Sequence, residues 1–295
     1  MSLTTSSADF RYSVSQFSTP HNNLREDLEQ IRRTGATGIG MWEGKLNGEE
    51  RQSAPRLLAD FELLATFCIP TVWSFLPSGL SPEPAVPAAR VDQMLRSLDW
   101  LAQISPVAVV VTPGSFGDLE PRAAETAIRR GLERVAQGAA DAGLRVVFEP
   151  IRNAAVSTFA SSIELLDDLA LADVQVLVDV WHLWDEPGLR PLLGSMIDRV
   201  GGVQVNDWRN PTRGWTDRAL PGEGSGALDD VLTTVIEAGF DGWYDLEVFS
   251  DDGTYVTEYP DSFWHGPHED MLRQAYMGFS TSWQSARRRA GGSRR

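Results

Sequence analysis

The chain has 295 residues, of which 42% are hydrophobic and 23% charged, so it can bury a sizeable core. Its formal net charge of −15 would repel a phosphate backbone, so no nucleic-acid partner is expected. The single cysteine, Cys68, excludes a disulfide framework and a thiolate metal cluster. The chain has a single lysine, Lys45, so Schiff-base chemistry is possible only if Lys45 is the nucleophile.

The N-terminal residues and the apolar segments indicate where in the cell the protein is expected. The first ten residues lack the basic and apolar regions of a secretory signal, and no apolar run reaches the roughly 18 residues of a membrane helix. We therefore expect a cytoplasmic protein with no membrane partner. The basic stretch from Arg287 to Arg295 is expected to be a frayed tail.

Short apolar runs alternate with stretches of helical periodicity along the whole chain. The first predicted helix starts at Asn23 and ends at Gly35, and the second is expected to begin near Pro55. The predicted strands, in chain order, are 10–17, 37–42, 69–75, 107–112, 144–149, 176–180, 202–205 and 242–248.

Eight strands that alternate with helices predict parallel pairing through right-handed crossovers. The sequence therefore predicts an α/β protein, a (β/α)8 TIM barrel with a single domain over about residues 8–280. The competing architecture, an open doubly wound sheet, would need a glycine-rich phosphate turn after the first strand. The sequence Phe17-Ser18-Thr19-Pro20 is not such a turn.

Active residues of a barrel lie at the carboxyl ends of its strands. Four consecutive predicted strands carry polar residues there, namely Glu149, Asp179, Gln204 and Glu247. Three converging carboxylates repel one another, and a bound dication relieves this repulsion. An all-oxygen set suits Mn²⁺ or Mg²⁺. Asp245 points to the same face as Glu247, but Glu247 is nearer the strand end and is the preferred ligand.

Five short motifs together resemble the sugar phosphate isomerase/epimerase superfamily, the xylose isomerase-like TIM barrels. They are Phe148-Glu149-Pro150, Asp179-x-x-His182, Val203-Gln204-Val205, the segment from Leu220 to Gly224, and Leu246-Glu247. The resemblance covers most of the chain and implies that Glu149, Asp179, Gln204 and Glu247 are metal ligands. Gln204 stands where ketose 3-epimerases of this family have His, and hydroxypyruvate isomerases are similar in having Gln.

This resemblance implies a divalent-metal-dependent isomerase or epimerase of a sugar or sugar-like hydroxyketone. Glu149 and Glu247 would move a proton to and from the substrate carbon through an enediolate. The alternative is a lyase or dehydratase on the same scaffold, either an inosose-type dehydratase or an enzyme that cleaves an oxidised sugar conjugate. A metal-free glycosidase using the same two glutamates and a non-catalytic sugar-binding barrel also stay open.

Candidate substrate-binding residues lie just after the strands. The resemblance implies substrate contacts for His182 and Arg209, and Arg152 follows Glu149 closely enough to bind a hydroxyl or carboxylate. Trp42 and Trp181 are expected to pack on the C–H faces of a sugar. The expected partner is a small sugar or polyol-ketone, with a homo-oligomer left open. The glycine-rich loop 222–226 is interpreted as a helix start rather than a phosphate site.

Overall fold

The computed structural model describes residues 10–226 and 228–292, and in them short parallel strands alternate with helices. The strands are β1 (Arg11–Ser15), β2 (Gly38–Gly40), β3 (Leu64–Ala65), β4 (Phe67–Cys68), β5 (Ala108–Val111), β6 (Val146–Phe148), β7 (Gln175–Asp179), β8 (Val200–Val205) and β9 (Trp243–Leu246). Their order in the sheet is β3-β2-β1-β9-β8-β7-β6-β5-β4.

The two edges of this sheet meet at one segment of the chain. Strands β3 and β4 are separated only by Thr66; β3 pairs with β2 and β4 pairs with β5. Together they serve as one barrel strand, so the sheet closes almost completely into the predicted single-domain TIM barrel. The predicted third strand, 69–75, was wrong in its start. Pro70 has no N–H to donate to a ladder, and the continuous pairing lies before it in β3 and β4, whereas after it only an isolated bridge joins Ser74 to Thr112.

Helices follow the strands and cover the outside of the barrel, except for the single turn α6, which lies at the carboxyl end of β7. They are α1 (Leu24–Thr34), α2 (Gly48–Asp60), α3 (Pro87–Ile104), α4 (Pro121–Asp141), α5 (Phe159–Asp168), α6 (Val180–Leu183), α7 (Leu189–Ser195), α8 (Leu228–Glu237) and α9 (His268–Gly292). Helix α1 has the predicted ends, an Asn23 cap and a left-handed Gly35. Helix α2 begins earlier than predicted because Asn47 and Glu50 form a capping box, which leaves Pro55 inside the helix.

The barrel interior is apolar at depth and polar at the carboxyl ends of the strands. Phe67, Leu177 and Trp243 are among the buried side chains that fill the deeper layer. Gly202 faces this layer, and a Cβ there would lie 2.1 Å from the Phe67 ring, so the ring can fill the barrel only opposite a glycine. The next inward positions on β7 and β9 are Asp179 and Asp245. The strand pleat therefore carries acidic groups directly above an apolar floor.

The C-terminal helix extends further than expected. Helix α9 continues to Gly292, and Arg289 in it pairs with Asp229 and Asp230 near the start of α8. The first part of the basic stretch predicted to fray is thus helical, and residues 293–295 lie outside the described residues. Within the ranges 10–226 and 228–292, no helix is both long and apolar enough to cross a bilayer.

Candidate active site

Four polar residues converge at the carboxyl ends of the last four strands, as the sequence predicts. Glu149 follows β6, Asp179 ends β7, Gln204 lies in β8 and Glu247 follows β9. All four are almost fully buried, with Glu149 the most exposed at 6%. We call Glu149, Asp179, Gln204 and Glu247 the acidic rim.

Every oxygen of Asp179 has a donor. Its Oδ1 accepts hydrogen bonds from the Trp181 backbone N–H and the Asn206 Nδ2, both at 2.8 Å. Its Oδ2 accepts one from Arg218 Nη1, also at 2.8 Å. This network fixes the carboxylate before any ligand arrives.

Glu247 is held in a similar way. Its Oε1 accepts hydrogen bonds from Gln204 Nε2 at 3.0 Å and from Ser15 Oγ at 3.2 Å. Its Oε2 accepts one from Arg218 Nη1 at 3.2 Å. One arginine nitrogen therefore bridges two carboxylates of the acidic rim, and Arg218 itself is only 1% exposed.

Arg218 was not predicted from the sequence, in which Arg209 was the expected substrate-binding arginine. Asp207 and Ala219 form an antiparallel bridge, so the chain leaves the barrel after Asp207 and returns just before Ala219. This return places Arg218 over the acidic rim. Arg209 instead pairs with Asp217 at 3.1 Å and does not line the cavity. The one available signal is that Arg218 stands four residues before Gly222 of the Pro-Gly-x-Gly motif.

His182 lies beside the acidic rim and is held by the backbone of Arg152. The Arg152 N–H donates to His182 Nδ1 at 3.2 Å, so the proton of the neutral ring resides on Nε2. That Nε2 lies 3.8 Å from Glu149 Oε1 and 3.7 Å from Asp179 Oδ2. Burial lowers the pKa of His182 to about 3, so the ring is neutral at physiological pH.

The acidic rim offers ligand atoms for a metal ion. Glu149, Asp179 and His182 have ligand atoms within 4.8 Å of one another, a cluster that could hold a cation. Gln204 Oε1 is a buried carbonyl oxygen without a hydrogen-bond partner in the described part of the chain. Because an unpartnered buried oxygen beside carboxylates is stabilised by a positive charge, the donor set fits a hard dication.

The two glutamates of the acidic rim have strongly altered acidities. Burial raises the pKa of Glu149 well above its usual value, and the charges of Glu247 and Asp179 raise it further. Burial raises the pKa of Glu247 to about 7, although Arg218 partly offsets the effect. Both groups therefore hold a proton more tightly than an exposed glutamate does, which suits an acid and a base.

The pKa values of Asp179 and Asp245 shift in opposite directions. Burial alone would raise the pKa of Asp179, but the Arg218 charge reverses the effect and the pKa lies below its usual value. Burial raises the pKa of Asp245 to about 8, and its hydrogen bond from Ser13 Oγ only partly offsets this. Asp245 lies one inward position below Glu247 and does not line the cavity.

A cavity of about 310 Å³ opens above the acidic rim. Glu149, Glu247, His182, Arg152 and Arg218 line its polar side. Four aromatic residues, which we call the aromatic wall, also line it: Phe17, Trp73, Trp215 and Phe249.

The predicted tryptophans take two different places. Trp181 lines the cavity, and the Arg152 guanidinium lies 5.6 Å from its ring. Trp42 does not line the cavity but packs behind the aromatic wall, 4.7 Å from Phe17 and 5.8 Å from Trp73 between ring centroids. The lone lysine is also outside the cavity lining, since Lys45 donates to buried Asp27 at 2.7 Å.

The glycine-rich loop 222–226 is organised by the protein's own carboxylate. Asp207 accepts the backbone N–H groups of Gly222 at 3.1 Å, Gly226 at 2.9 Å and Trp208 at 2.8 Å. These donors are therefore already used by an internal anion, which favours the structural interpretation of this loop over phosphate binding.

A family model described as xylose isomerase-like TIM barrel matches residues 28–275. The chain belongs to this family. A Streptomyces coelicolor protein named as a candidate hydroxypyruvate isomerase is 36% identical over 78 residues, which is 26% of this chain and 25% of that relative. The match thus spans about a quarter of the relative's length.

Two solved structures share the fold of this chain. An IolI protein with a bound zinc atom superimposes with a TM-score of 0.77 and 16% identity, covering 94% of this chain and 99% of that one. The E. coli 3-keto-D-glucoside 4-epimerase YcjR gives a TM-score of 0.72 and 18% identity, covering 92% and 99%. These identities are low, so the comparison establishes the fold alone.

Proposed function

We propose that this chain is a metal-assisted isomerase or epimerase of a sugar or sugar-like hydroxyketone. The observation that carries the proposal is the pair Glu149 and Glu247, two buried carboxyl groups that face one cavity with raised pKa values. Strands β7 and β8 separate them in the barrel wall, so they approach a bound substrate from different directions. The names of the relatives, which are isomerases and epimerases, support the same class.

The acidic rim would hold the metal ion through Glu149, Asp179, Gln204 and Glu247, and its oxygen donors favour Mn²⁺ or Mg²⁺. When bound, such an ion supplies Lewis-acid polarisation of a substrate carbonyl and stabilises the negative charge of an enediolate. His182 is a weaker candidate ligand because its Nε2 carries the ring proton while Arg152 donates to Nδ1. The zinc atom of the IolI structure is consistent with a divalent ion on this scaffold.

The two glutamates would divide the proton transfer between them. Glu247, whose pKa is raised to about 7 and whose carboxylate form is favoured by Arg218, acts as the base that removes the proton beside the carbonyl. Glu149, whose pKa burial raises well above its usual value, is the acid that delivers a proton from its own side of the cavity. Delivery to the same carbon gives an epimer, whereas delivery to the neighbouring carbon gives an aldose–ketose isomer.

Neighbouring side chains would hold the substrate in place. The neutral His182 presents its Nε2–H toward the acidic rim and can donate to a substrate oxygen. Arg152 lines the cavity and is stacked on Trp181, so its charge reaches the ligand from a fixed direction. The buried walls exclude water from the charged intermediate, which strengthens each of these contacts.

Isotope exchange tests the proposal directly. Chelator-treated protein is reloaded with Mn²⁺ and incubated in D2O with a panel of ketoses, inososes and 3-oxo-glycosides. We expect deuterium at the carbon beside the carbonyl, measured by NMR, only in the metal-loaded samples. Conversion without deuterium entry would indicate a hydride shift and would contradict the two-glutamate mechanism. Equal activity of the metal-free and metal-loaded samples would contradict metal assistance.

The second candidate function is cleavage of an oxidised sugar conjugate by β-elimination from the same enediolate. The aromatic wall favours it, because a free triose or pentose has no flat apolar group to cover these rings. The same D2O experiment separates the two functions. Release of the aglycone from a 3-oxo-glycoside identifies the lyase, and an intact epimer or isomer identifies the first candidate.

A further inference from the structure

The position of Arg218 raises a question of charge at the acidic rim. Its Nη1 lies within 3.2 Å of both Asp179 Oδ2 and Glu247 Oε2, two of the oxygens that a metal ion would use. The same nitrogen also donates to the Glu247 backbone carbonyl at 3.2 Å. A guanidinium therefore lies between two of the residues that the proposed function assigns to a dication.

The other oxygens of these two carboxylates are already engaged. Asp179 Oδ1 accepts two hydrogen bonds and Glu247 Oε1 also accepts two. The oxygen left for a metal ion is in each case the one that Arg218 holds. A dication that coordinated both of these oxygens at about 2.0 to 2.6 Å would need the space between them, which Arg218 Nη1 now occupies.

We propose that Arg218 is an internal counter-ion that competes with the metal ion for Asp179 and Glu247, so that metal binding displaces its side chain. The proposal rests on the metal-assisted function described above. An arginine keeps its charge when buried, so it cannot yield to a metal ion by losing a proton and has to move.

The surroundings of Arg218 allow such a movement of the side chain alone. Its backbone is fixed, since the Arg218 N–H donates to the Phe249 carbonyl at 2.8 Å and the next residue bridges to Asp207. Its side chain borders the cavity, with the guanidinium 4.8 Å from the Phe249 ring and 5.4 Å from the Trp181 ring. Its buried Nε lacks a hydrogen-bond partner in the described structure, so the present position leaves one donor unsatisfied.

Two forms of the site follow from this competition. In the metal-free form, Arg218 neutralises part of the acidic rim and keeps the barrel stable. In the metal-bound form, the dication takes over that role and the guanidinium turns into the cavity. Removing the arginine charge should therefore destabilise the metal-free form and favour metal binding.

The test uses Arg218→Met, which removes the charge and keeps much of the side-chain volume. Arg199→Met is the matched control, because Arg199 pairs with Asp167 and precedes β8 at the opposite end of the barrel. Mn²⁺ affinity of chelator-treated protein is measured by calorimetry, and melting temperatures are measured with and without Mn²⁺. We expect Arg218→Met to bind Mn²⁺ at least about tenfold more tightly than the wild type. We also expect a lower melting temperature only without metal, and wild-type behaviour from Arg199→Met.

Unchanged or weaker Mn²⁺ affinity in Arg218→Met would overturn the proposal. If that variant fails to fold, crystal structures of the wild type with EDTA and with Mn²⁺ decide the question. Arg218 Nη1 should leave Asp179 Oδ2 when the ion is bound, and an unmoved arginine beside a bound ion would refute the competition. A wild type that binds Mn²⁺ but exchanges no deuterium with any substrate would contradict the proposed function and leave the competition standing.

Discussion

The acidic rim and the aromatic wall differ in their chemistry and in how they are held. The acidic rim consists of carboxylates and an amide fixed by hydrogen bonds from β1, the loop before Ala219 and neighbouring strands. The aromatic wall is held by ring packing, with Phe17 and Phe249 5.4 Å apart and Trp215 and Phe249 5.8 Å apart. Arg218 lies at the border between them, bonded to the acidic rim and stacked near Phe249.

This difference indicates a division of labour. Buried carboxylates are costly to keep charged, so their concentration on one side indicates chemistry rather than packing. Aromatic side chains gain stability from burial and can cover a ligand without a specific partner. We therefore expect substitutions on the acidic rim to change the turnover rate and substitutions on the aromatic wall to change substrate affinity.

The largest expected effect is the loss of turnover in Glu247→Gln. The amide keeps the shape of the side chain but cannot remove a proton, so kcat should fall about 10³-fold or more. The melting temperature of the metal-free protein should not fall, because the change removes a buried charge. Steady-state kinetics and calorimetry check the two outcomes, and Glu223→Gln, an exposed glutamate outside the cavity, is the matched control.

The companion variant Glu149→Gln distinguishes the two glutamates. If Glu247 is the base and Glu149 returns the proton, Glu149→Gln should still exchange deuterium into the substrate while forming little product. The ratio of exchange to conversion, measured by NMR, should therefore rise well above that of the wild type. Equal loss of exchange and conversion in Glu149→Gln would assign the base role to Glu149 instead.

The positions of the acidic rim could be predicted because strand ends are local in sequence. Glu149, Asp179 and Glu247 each end an apolar strand, and their convergence follows once the barrel is recognised. Arg218 could not be predicted in the same way, because its place depends on a loop that returns through the bridge between Asp207 and Ala219. The hydrogen bond from Ser15 to Glu247 joins residues 232 apart and depends on barrel closure.

The fold itself was predictable in outline and less so in its details. Alternation of apolar runs with helical periodicity is a property of the whole chain, so eight strand segments and their order could be identified. The predicted third strand started too late. The segment from Ile69 to Phe75 is as apolar as a strand, but Pro70 has no N–H for the strand ladder, and the continuous pairing lies earlier, in β3 and β4. The start of α2 was misplaced because Pro55 favours a first turn, whereas Asn47 provides the cap.

A smaller effect is expected for the pH dependence of stability. The folded pKa of Glu247, about 7, lies above the model-peptide value of 4.5, so the folded state binds the proton more tightly than the unfolded state. Stability from this group is therefore complete below about pH 4.5 and is lost as pH rises through about 7, roughly 3 kcal/mol in all. The Glu247 contribution, taken as the difference in unfolding free energy between metal-free wild type and Glu247→Gln, should fall between pH 5 and pH 8, as measured by urea denaturation. The buried neutral His182 acts in the opposite direction but is present in both proteins, so the difference removes its effect.

Two comparisons sharpen this expectation. Between pH 5 and pH 8, the unfolding free energy of Glu247→Gln should fall less, or rise more, than that of the wild type, because the variant has no carboxyl group to titrate at that position. With Mn²⁺ present, the loss of stability that Glu247 causes as pH rises should weaken or reverse, because deprotonated ligands bind the ion more tightly. A difference between wild type and Glu247→Gln that does not fall between pH 5 and pH 8 would show that Arg218 keeps Glu247 ionised across this range.

The smallest expected effect concerns the aromatic wall. Trp215 is only partly buried and lines the cavity, so Trp215→Ala should leave the fold intact. For an oxidised sugar that carries a flat apolar aglycone, KM should rise about tenfold with little change in kcat, because the lost contact is the same in ground and transition states. For a free ketose, KM should change by less than about twofold. Trp184→Ala is the control, since Trp184 packs on Trp208 away from the cavity lining. Equal responses to both substrates would remove the aromatic wall as a binding surface, and with it the reason for considering the lyase.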